Sequence, residues 1–340
     1  MSASLRKFLI TRLLLTIPMV LILITVVFFV MRVLPGDPIR SQLGPKVSAE
    51  QAHEIRERLG LNRPILEQYV DFIWKTVRLD LGNALTSGGR PIRDELAERL
   101  PATIELTVPA MLFTAVFGVL SGAYAAKHRG SVQDYGIRAG SILVYAVPVF
   151  FMGLMFQIIF SVRLAWLPLS GRMDTMMLTQ FQPRTGFYIV DAITTGNWPV
   201  LRSAISHLIL PSLTLALALS GVFVRLTRAN MIEMLQQDFI TAGRARGLPE
   251  QRLTYRHALR NTFIPILTMI GLQFAILLAG AVLTETTFSW PGMGRYLVDR
   301  IALRDYTAVQ AVITVFALFV AFISLIMDVV NAFLDPRIRY

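Results

Sequence analysis

Several short segments carry residue types that do chemistry in other proteins, and each set is incomplete. His53-Glu54-Ile55-Arg56-Glu57 has the first half of a zinc-protease helix, but the second His, which must face the same ion one turn later, is replaced by Glu57. A charged surface helix fits these residues better. Ser87-Gly88-Gly89-Arg90 has the residue types of part of an ATP-recognition loop, yet the chain holds no Gly-rich phosphate loop ending in Lys-Ser or Lys-Thr, so the segment reads as a turn. Ser121-Gly122 and Ser220-Gly221 lie in apolar runs, where an intramembrane serine nucleophile would sit. Val119 and Ala218 stand where the nucleophile motif carries Gly, and small residues in membrane helices serve close packing. No catalytic residue and no metal-ligand set emerges.

Ionisable side chains inside or at the ends of apolar runs are costly in lipid and count as candidate functional groups. They are Arg138, His207, Arg225, Glu285 and Asp328. Arg138 and Arg225 lie where they can snorkel to an interface, and Asp328 lies where neighbouring basic residues can neutralise it. His207 and Glu285 are candidates for an outer gate or pathway; an ordinary helix-end hydrogen bond serves either equally well. Gln157, Gln273 and Gln310 add polarity without the spacing of a proton relay.

The elements that must position these residues are membrane helices. Of 340 residues, 54% are hydrophobic and 16% charged, with no Cys, and several apolar runs exceed the length needed to cross a hydrocarbon core. The net charge of +11 belongs to residues flanking the spans, not to a nucleic-acid surface. The expected fold is an all-α integral membrane protein with six spans, at about 10–33, 103–126, 136–162, 204–227, 263–285 and 308–333. The first span is too long for a signal peptide and lacks a small-residue cleavage site, so it reads as an uncleaved anchor. Lys and Arg beside the spans put both termini in the cytoplasm, together with the loops after the second and fourth spans.

The expected division is an N-terminal anchor, 1–34, an extracytoplasmic segment, 35–100, and a transmembrane core, 101–340. Pro35-Gly36-Asp37-Pro38 ends the anchor. Ser48 to Leu59 is a polar helical pattern with Ser48 as N-cap and Gly60 as stop. Pro64 to Leu79 is amphipathic, and its Tyr69, Phe72, Ile73 and Trp74 suit a headgroup layer. Both lying on the outer membrane face and contact with another extracytoplasmic protein stay open for it. Arg163 to Ser203 is too broken for a long helix and can cover the outer mouth of a pathway.

The segment from Asp238 to Pro265, between the fourth and fifth spans, has the grammar of an elbow. Gly247 ends a short helix in the left-handed conformation that only Gly adopts freely, and Pro249 and Glu250 suit the start of the next. On the first helix Leu235, Phe239 and Ala242 fall at helical spacing, with Arg244 and Arg246 in its last turn. On the second, Tyr255, Leu259, Thr262, Phe263 and Ile266 share one stripe, and Arg252, Arg256 and Arg260 another. A helix, a fixed turn and a helix favour a shaped protein contact over attraction to anionic lipid, which needs no turn.

That segment resembles the cytoplasmic coupling loop of permease subunits of binding-protein-dependent ABC importers, whose pattern is Glu-Ala-Ala, three residues, then Gly. Ala242 and Gly247 match it; Thr241 and Gly243 depart, in a way that resembles the peptide and nickel branch, since the chain reads DFITAGRARGL where that branch has a DYxxTARAKGL-like version. PGDP at 35–38, RLPATIEL at 99–106, HALRN at 257–261, LTETTFSWPGMGR at 283–295, RDY at 304–306 and DPRIR at 335–339 extend the resemblance over nearly the whole length. It looks closest to the first, longer permease subunit of a dipeptide importer.

The resemblance implies an ATPase-coupling loop at 228–262 that acts through Asp238, Phe239, Ala242, Gly243, Arg244, Ala245, Arg246, Gly247, Leu248 and Glu250. It also implies a second homologous permease subunit, two ATPase subunits that bind the ATP and Mg, an extracytoplasmic solute-binding protein and a peptide substrate. Pro265 is then expected to break the fifth span at its root and set the angle to the elbow. The competing classes are an ion-coupled secondary carrier, for which the mid-span positions offer no acidic pair, and an intramembrane enzyme, for which a nucleophile is wanting.

Overall fold

The computed structural model describes residues 3–33, 49–58, 60, 62–84, 86 and 88–334. Apolar runs bordered by turn residues become helices throughout: α1 Ala3–Val33, α2 Ala49–Arg58, α3 Ile65–Val77, α4 Ile92–Lys127, α5 Val132–Ala146, α6 Val149–Phe156, α7 Thr175–Gln180, α8 Tyr188–Thr194, α9 Trp198–Leu235, α10 Asp238–Ala245, α11 Glu250–Arg252, α12 Leu259–Thr287, α13 Met293–Ala302 and α14 Tyr306–Leu334. The expected stops at Pro35–Pro38, the cap at Ser48, Ser87 and the terminal 335–339 motif lie outside the described residues. Gly60 has φ +68° at the end of α2, and His53 and Glu57 are exposed on that helix. Gly88 and Gly89 form a left-handed turn, closed by the Ala84 N–H on the Arg90 carbonyl at 2.9 Å.

Five helical segments are long and apolar enough to cross a membrane: Ile10–Arg32, Ile92–Lys127, Trp198–Leu235, Glu250–Thr287 and Tyr306–Phe333. The expected third span is not one helix. Val132–Ala146 and Val149–Arg163 meet at 99°, a bent pair with the composition of either a broken span, which would be the sixth, or a re-entrant loop. The cause is local: Val147 precedes Pro148, is forced out of the helical region to φ −79°, ψ 125°, and ends α5. A π turn, Gln157–Arg163, continues α6.

Two helices are much longer than a bilayer needs. At about 1.5 Å per residue, α4 and α9 span roughly 55 Å against a core of about 30 Å. They pack along each other, and α9 is the most enclosed span, with 67% of its apolar window buried against 17% for α1 and α14. Ala102, Leu106, Ala110, Leu215, Phe223, Leu277, Ala281 and Trp290 make the central core between α4, α9 and α12. Gly118 and Gly122 permit the approach: a Cβ at Gly118 would collide with the Phe223 Cβ, and one at Gly122 would lie 2.7 Å from the Val224 carbonyl oxygen. Gly221 does the same for α9 against α5, where a Cβ would meet the Ser141 oxygen at 2.7 Å. The Ser-Gly pairs therefore sit at helix contacts.

Pro265 does not break the fifth span. Helix α12 runs unbroken from Leu259 through Pro265, and the irregular turn comes earlier, as a π turn at Leu253–Ala258 between α11 and α12.

Candidate coupling site

The elbow projects from one end of the α4–α9 pair. Helix α9 ends at Leu235, Gln236 and Gln237 turn the chain, and α10 runs to Ala245. Its C-terminus is a complete Schellman motif: the Leu248 N–H donates to the Gly243 carbonyl at 3.1 Å and the Gly247 N–H to the Arg244 carbonyl at 2.9 Å, with Gly247 at φ +73°. Pro249, at φ −65°, ψ 141°, then directs the chain into α11. Across the turn the Arg244 guanidinium donates to the Glu250 carboxylate, Nε to Oε1 at 2.6 Å and Nη2 to Oε2 at 3.3 Å. That hydrogen bond raises the Arg244 pKa above its usual value. Both groups are about half exposed, so the bridge tunes the turn without holding it.

Packing fixes the elbow to the bundle. Ile240 of α10 and Leu253 of the π turn are fully enclosed with Ala123 and Ala126 of α4, Met231 of α9 and Ala258. Gly243 lets α10 lie against that turn, since a Cβ there would approach Leu253 Cδ2 to 2.6 Å. The buried stripe differs from the expected one. Leu235 belongs to α9, Ile240 and Gly243 face inward, and Phe239 is 43% exposed. The π turn shifts the second side similarly: Leu253, Thr254, Ala258, Thr262 and Ile266 are buried, while Tyr255 and Phe263 are exposed. A uniform 3.6-residue period cannot anticipate the extra residue in a π turn.

Of the residues singled out for coupling, Asp238, Phe239, Ala242, Arg244, Ala245, Arg246, Gly247 and Glu250 are exposed, Leu248 is half-buried and Gly243 is buried. Arg252, Arg256 and Arg260 extend the exposed cationic face. Beside it Arg228 of α9 donates to both oxygens of Asp134 at the start of α5, at 2.6 and 2.7 Å, and Ser131 caps α5. Asp328 of α14 pairs with Arg12 of α1 at 3.5 Å, so a named neighbour neutralises it.

His207 and Glu285 lie toward the other end and are not brought together with the elbow. His207 Nδ1 is 2.8 Å from the Ser203 carbonyl oxygen of its own helix. Glu285 is fully buried. Its carboxylate accepts from the Thr103 hydroxyl at 2.7 Å and the Arg295 N–H at 2.9 Å, while the Met293 N–H donates to Thr103 and the Trp290 indole to the Ala102 carbonyl, both at 2.8 Å. These bonds tie the 288–293 turn to α4.

Two further polar networks near this end were not anticipated. Arg172 donates to Glu105, Nε to Oε2 at 3.0 Å, and to the Gly186 carbonyl at 2.7 Å, and the Ile189 N–H donates to the same carboxylate at 2.8 Å. The segment between α6 and α9 is thereby fastened over α4. Arg300 of α13 bridges Glu95 of α4 at 3.1 Å and hydrogen-bonds Thr86, whose hydroxyl donates to Asp305 at 2.8 Å. Side-chain partners separated by 67 to 219 residues leave no local pattern, and only the acidic residues of α4 signal them.

Membrane-length helices with an exposed elbow packed on one end define a multi-pass membrane protein. The chain belongs to the family of binding-protein-dependent transport system inner membrane components. That family matches residues 118–340, and the N-terminal region of such membrane components matches residues 5–107. A di/tripeptide transport system permease protein of Pseudomonas aeruginosa is 41% identical over 314 residues, 92% of this chain and 93% of that protein. A dipeptide transport system permease protein of Escherichia coli is 38% identical over 98% of this chain and 99% of its own length, and a glutathione transport system permease protein of the same species is 36% identical over the same shares. Among solved structures, an inward-facing conformation of the MetNI methionine ABC transporter aligns with a TM-score of 0.54 at 12% identity, over 72% of this chain and 98% of that chain. That likeness shows the fold alone; the family match makes the chain a multi-pass inner-membrane permease subunit of an ABC importer.

Proposed function

We propose that this chain is one permease half of an ATP-driven importer of dipeptides and short oligopeptides. It forms half of the translocation pathway with a second, homologous permease subunit, and its elbow seats one of two ABC ATPase subunits. ATP and Mg bind to those subunits, and this chain contributes no catalytic group. An extracytoplasmic solute-binding protein delivers the peptide at the opposite face, the face of α3, α7 and α8, with both termini in the cytoplasm and lipid around α1 and α14.

The observation that carries the reading is mechanical. Elbow residues Ile240 and Leu253 share one core with Ala123 and Ala126, and the same helix, α4, holds Glu105 and Thr103 at the far end. A displacement of the elbow is therefore transmitted along roughly 30 Å of α4 to the segments fastened by Arg172 and Glu285. Asp238, Phe239, Ala242, Arg244, Ala245, Arg246, Gly247 and Glu250 form the ATPase-facing surface, with Gly243 and Leu248 packed beneath it. His207 and Glu285 act at the outer end by holding helix and turn geometry, which sets the shape of the outer gate.

The substrate class follows the relatives, of which two carry peptides in their names and the third glutathione, itself a tripeptide. ATP-dependent uptake of labelled di- and tripeptides by the reconstituted importer, with its cognate binding protein, tests it. Uptake without ATPase subunits, or no peptide uptake with all components present, would overturn it.

A further inference from the structure

Helix α3, Ile65–Val77, has three distinct sides. One side packs on α1: the Tyr69 hydroxyl lies 2.7 Å from the Thr25 hydroxyl, and the Tyr69 and Phe72 rings meet Phe28 with centroids 5.4 and 5.5 Å apart. A second side carries Glu67, Asp71 and Lys75, the last two paired at 2.7 Å. The third, with Leu66, Val70, Trp74 and Val77 at i, i+4, i+8 and i+11, is apolar and exposed.

Depth decides what covers that side. Thr25, Phe28 and Phe29 precede Arg32, the last residue of the first span, by seven to three positions. At about 1.5 Å per residue this puts α3 against α1 roughly 5–10 Å before the end of its apolar stretch. Helices that lie in a membrane interface bury their apolar side to about that depth, 5–10 Å. The stripe is also continuous with lipid-exposed surface, since Ile22, Val26 and Phe29 of α1 are exposed and the Phe29 ring stacks on Tyr69. Arg78 closes the helix with its guanidinium 4.2 Å above the Trp74 ring, an arrangement that keeps the charge at headgroup level while the indole faces acyl chains.

We infer that α3 is an interfacial anchor whose Leu66, Val70, Trp74 and Val77 side inserts into the lipid leaflet at the C-terminal end of α1. It pins the segment after the first span to the bilayer surface. The inference rests on α1 as a span and not on the transport reading or on which leaflet is outer.

The chain has no Cys, so single spin labels can be placed at Leu66→Cys, Val70→Cys and Val77→Cys, and at Glu67→Cys and Asp71→Cys on the polar side. The measurement is power saturation in nanodiscs of phosphatidylcholine and phosphatidylglycerol holding the assembled importer, with the Cys-free parent chain as background. Labels at 66, 70 and 77 should relax several-fold more with oxygen than with a water-soluble nickel complex, and labels at 67 and 71 the reverse. Greater relaxation by nickel at 66, 70 and 77 would overturn the inference. So would protection of those positions from both agents, because a protein would then cover the stripe.

Discussion

Gly247→Val perturbs a single backbone position. Gly247 sits at φ +73°, and a Cβ built there meets nothing within 4 Å, so the damage comes from conformation and not from collision. Holding an ordinary L-residue in the left-handed region costs about 1–3 kcal/mol, with β-branched side chains at the upper end. Both Schellman bonds depend on that conformation. At about 1.4 kcal/mol per tenfold change, the intact elbow loses roughly 5- to 150-fold in population against opened forms. Asn tolerates the left-handed region, so the expected order of damage is Asn below Ala below Val. Co-purification of the ATPase subunits and ATP-dependent peptide uptake should fall in that order, with all spans still inserted by protease-protection assay. Wild-type behaviour of Gly247→Val would refute the conformational reasoning. Equal damage from Asn and Val would refute it too, since that pattern means a side chain colliding with the docked partner.

Gly243→Ala should weaken ATPase co-purification, because the added Cβ presses on Leu253 Cδ2; pairing it with Leu253→Ala should recover part of the loss, and an unrecovered double variant would point elsewhere. Glu105→Ala leaves the buried Arg172 guanidinium uncompensated and should destabilise the chain by about 3–5 kcal/mol, read as a lower midpoint in thermal unfolding, whereas replacing Glu105 and Arg172 together with Met should cost clearly less. Gly122→Leu forces α4 away from the Val224 carbonyl and should abolish uptake while ATPase subunits still co-purify; retained uptake would show that the two helices need not move as one.

Hydropathy and turn residues make the helical class, the span positions and the elbow legible in the sequence, because each rests on short-range rules: apolar run length, a Gly that ends a helix, a Pro that starts one. What stayed hidden depends on geometry over longer range or on departures from a regular period. The 99° bend at Val147-Pro148 was present as an X-Pro step, but apolar residues on both sides masked it. The turn at Gln236-Gln237 separates Leu235 from α10, so Ile240 goes inside and Phe239 out, and the π turn at Leu253–Ala258 likewise puts Leu253 inside and Tyr255 out. Pro265 misled in the other direction: a helix supported on neighbouring helices absorbs a proline. Glu285 could be singled out as a buried ionisable group from sequence alone, yet its partner Thr103 lies 182 residues away. The extension of α4 back to Ile92, which lets one helix join the two ends, runs through charged residues that hydropathy assigns outside the span.

The most direct test of coupling is cross-linking from a single Cys placed at the exposed Phe239 of the otherwise Cys-free chain. In the assembled importer, Phe239→Cys should cross-link to an ATPase subunit, and closing that link should stop ATP-driven peptide uptake. No ATPase cross-link in an actively transporting complex, or unchanged uptake after complete cross-linking, would contradict the account.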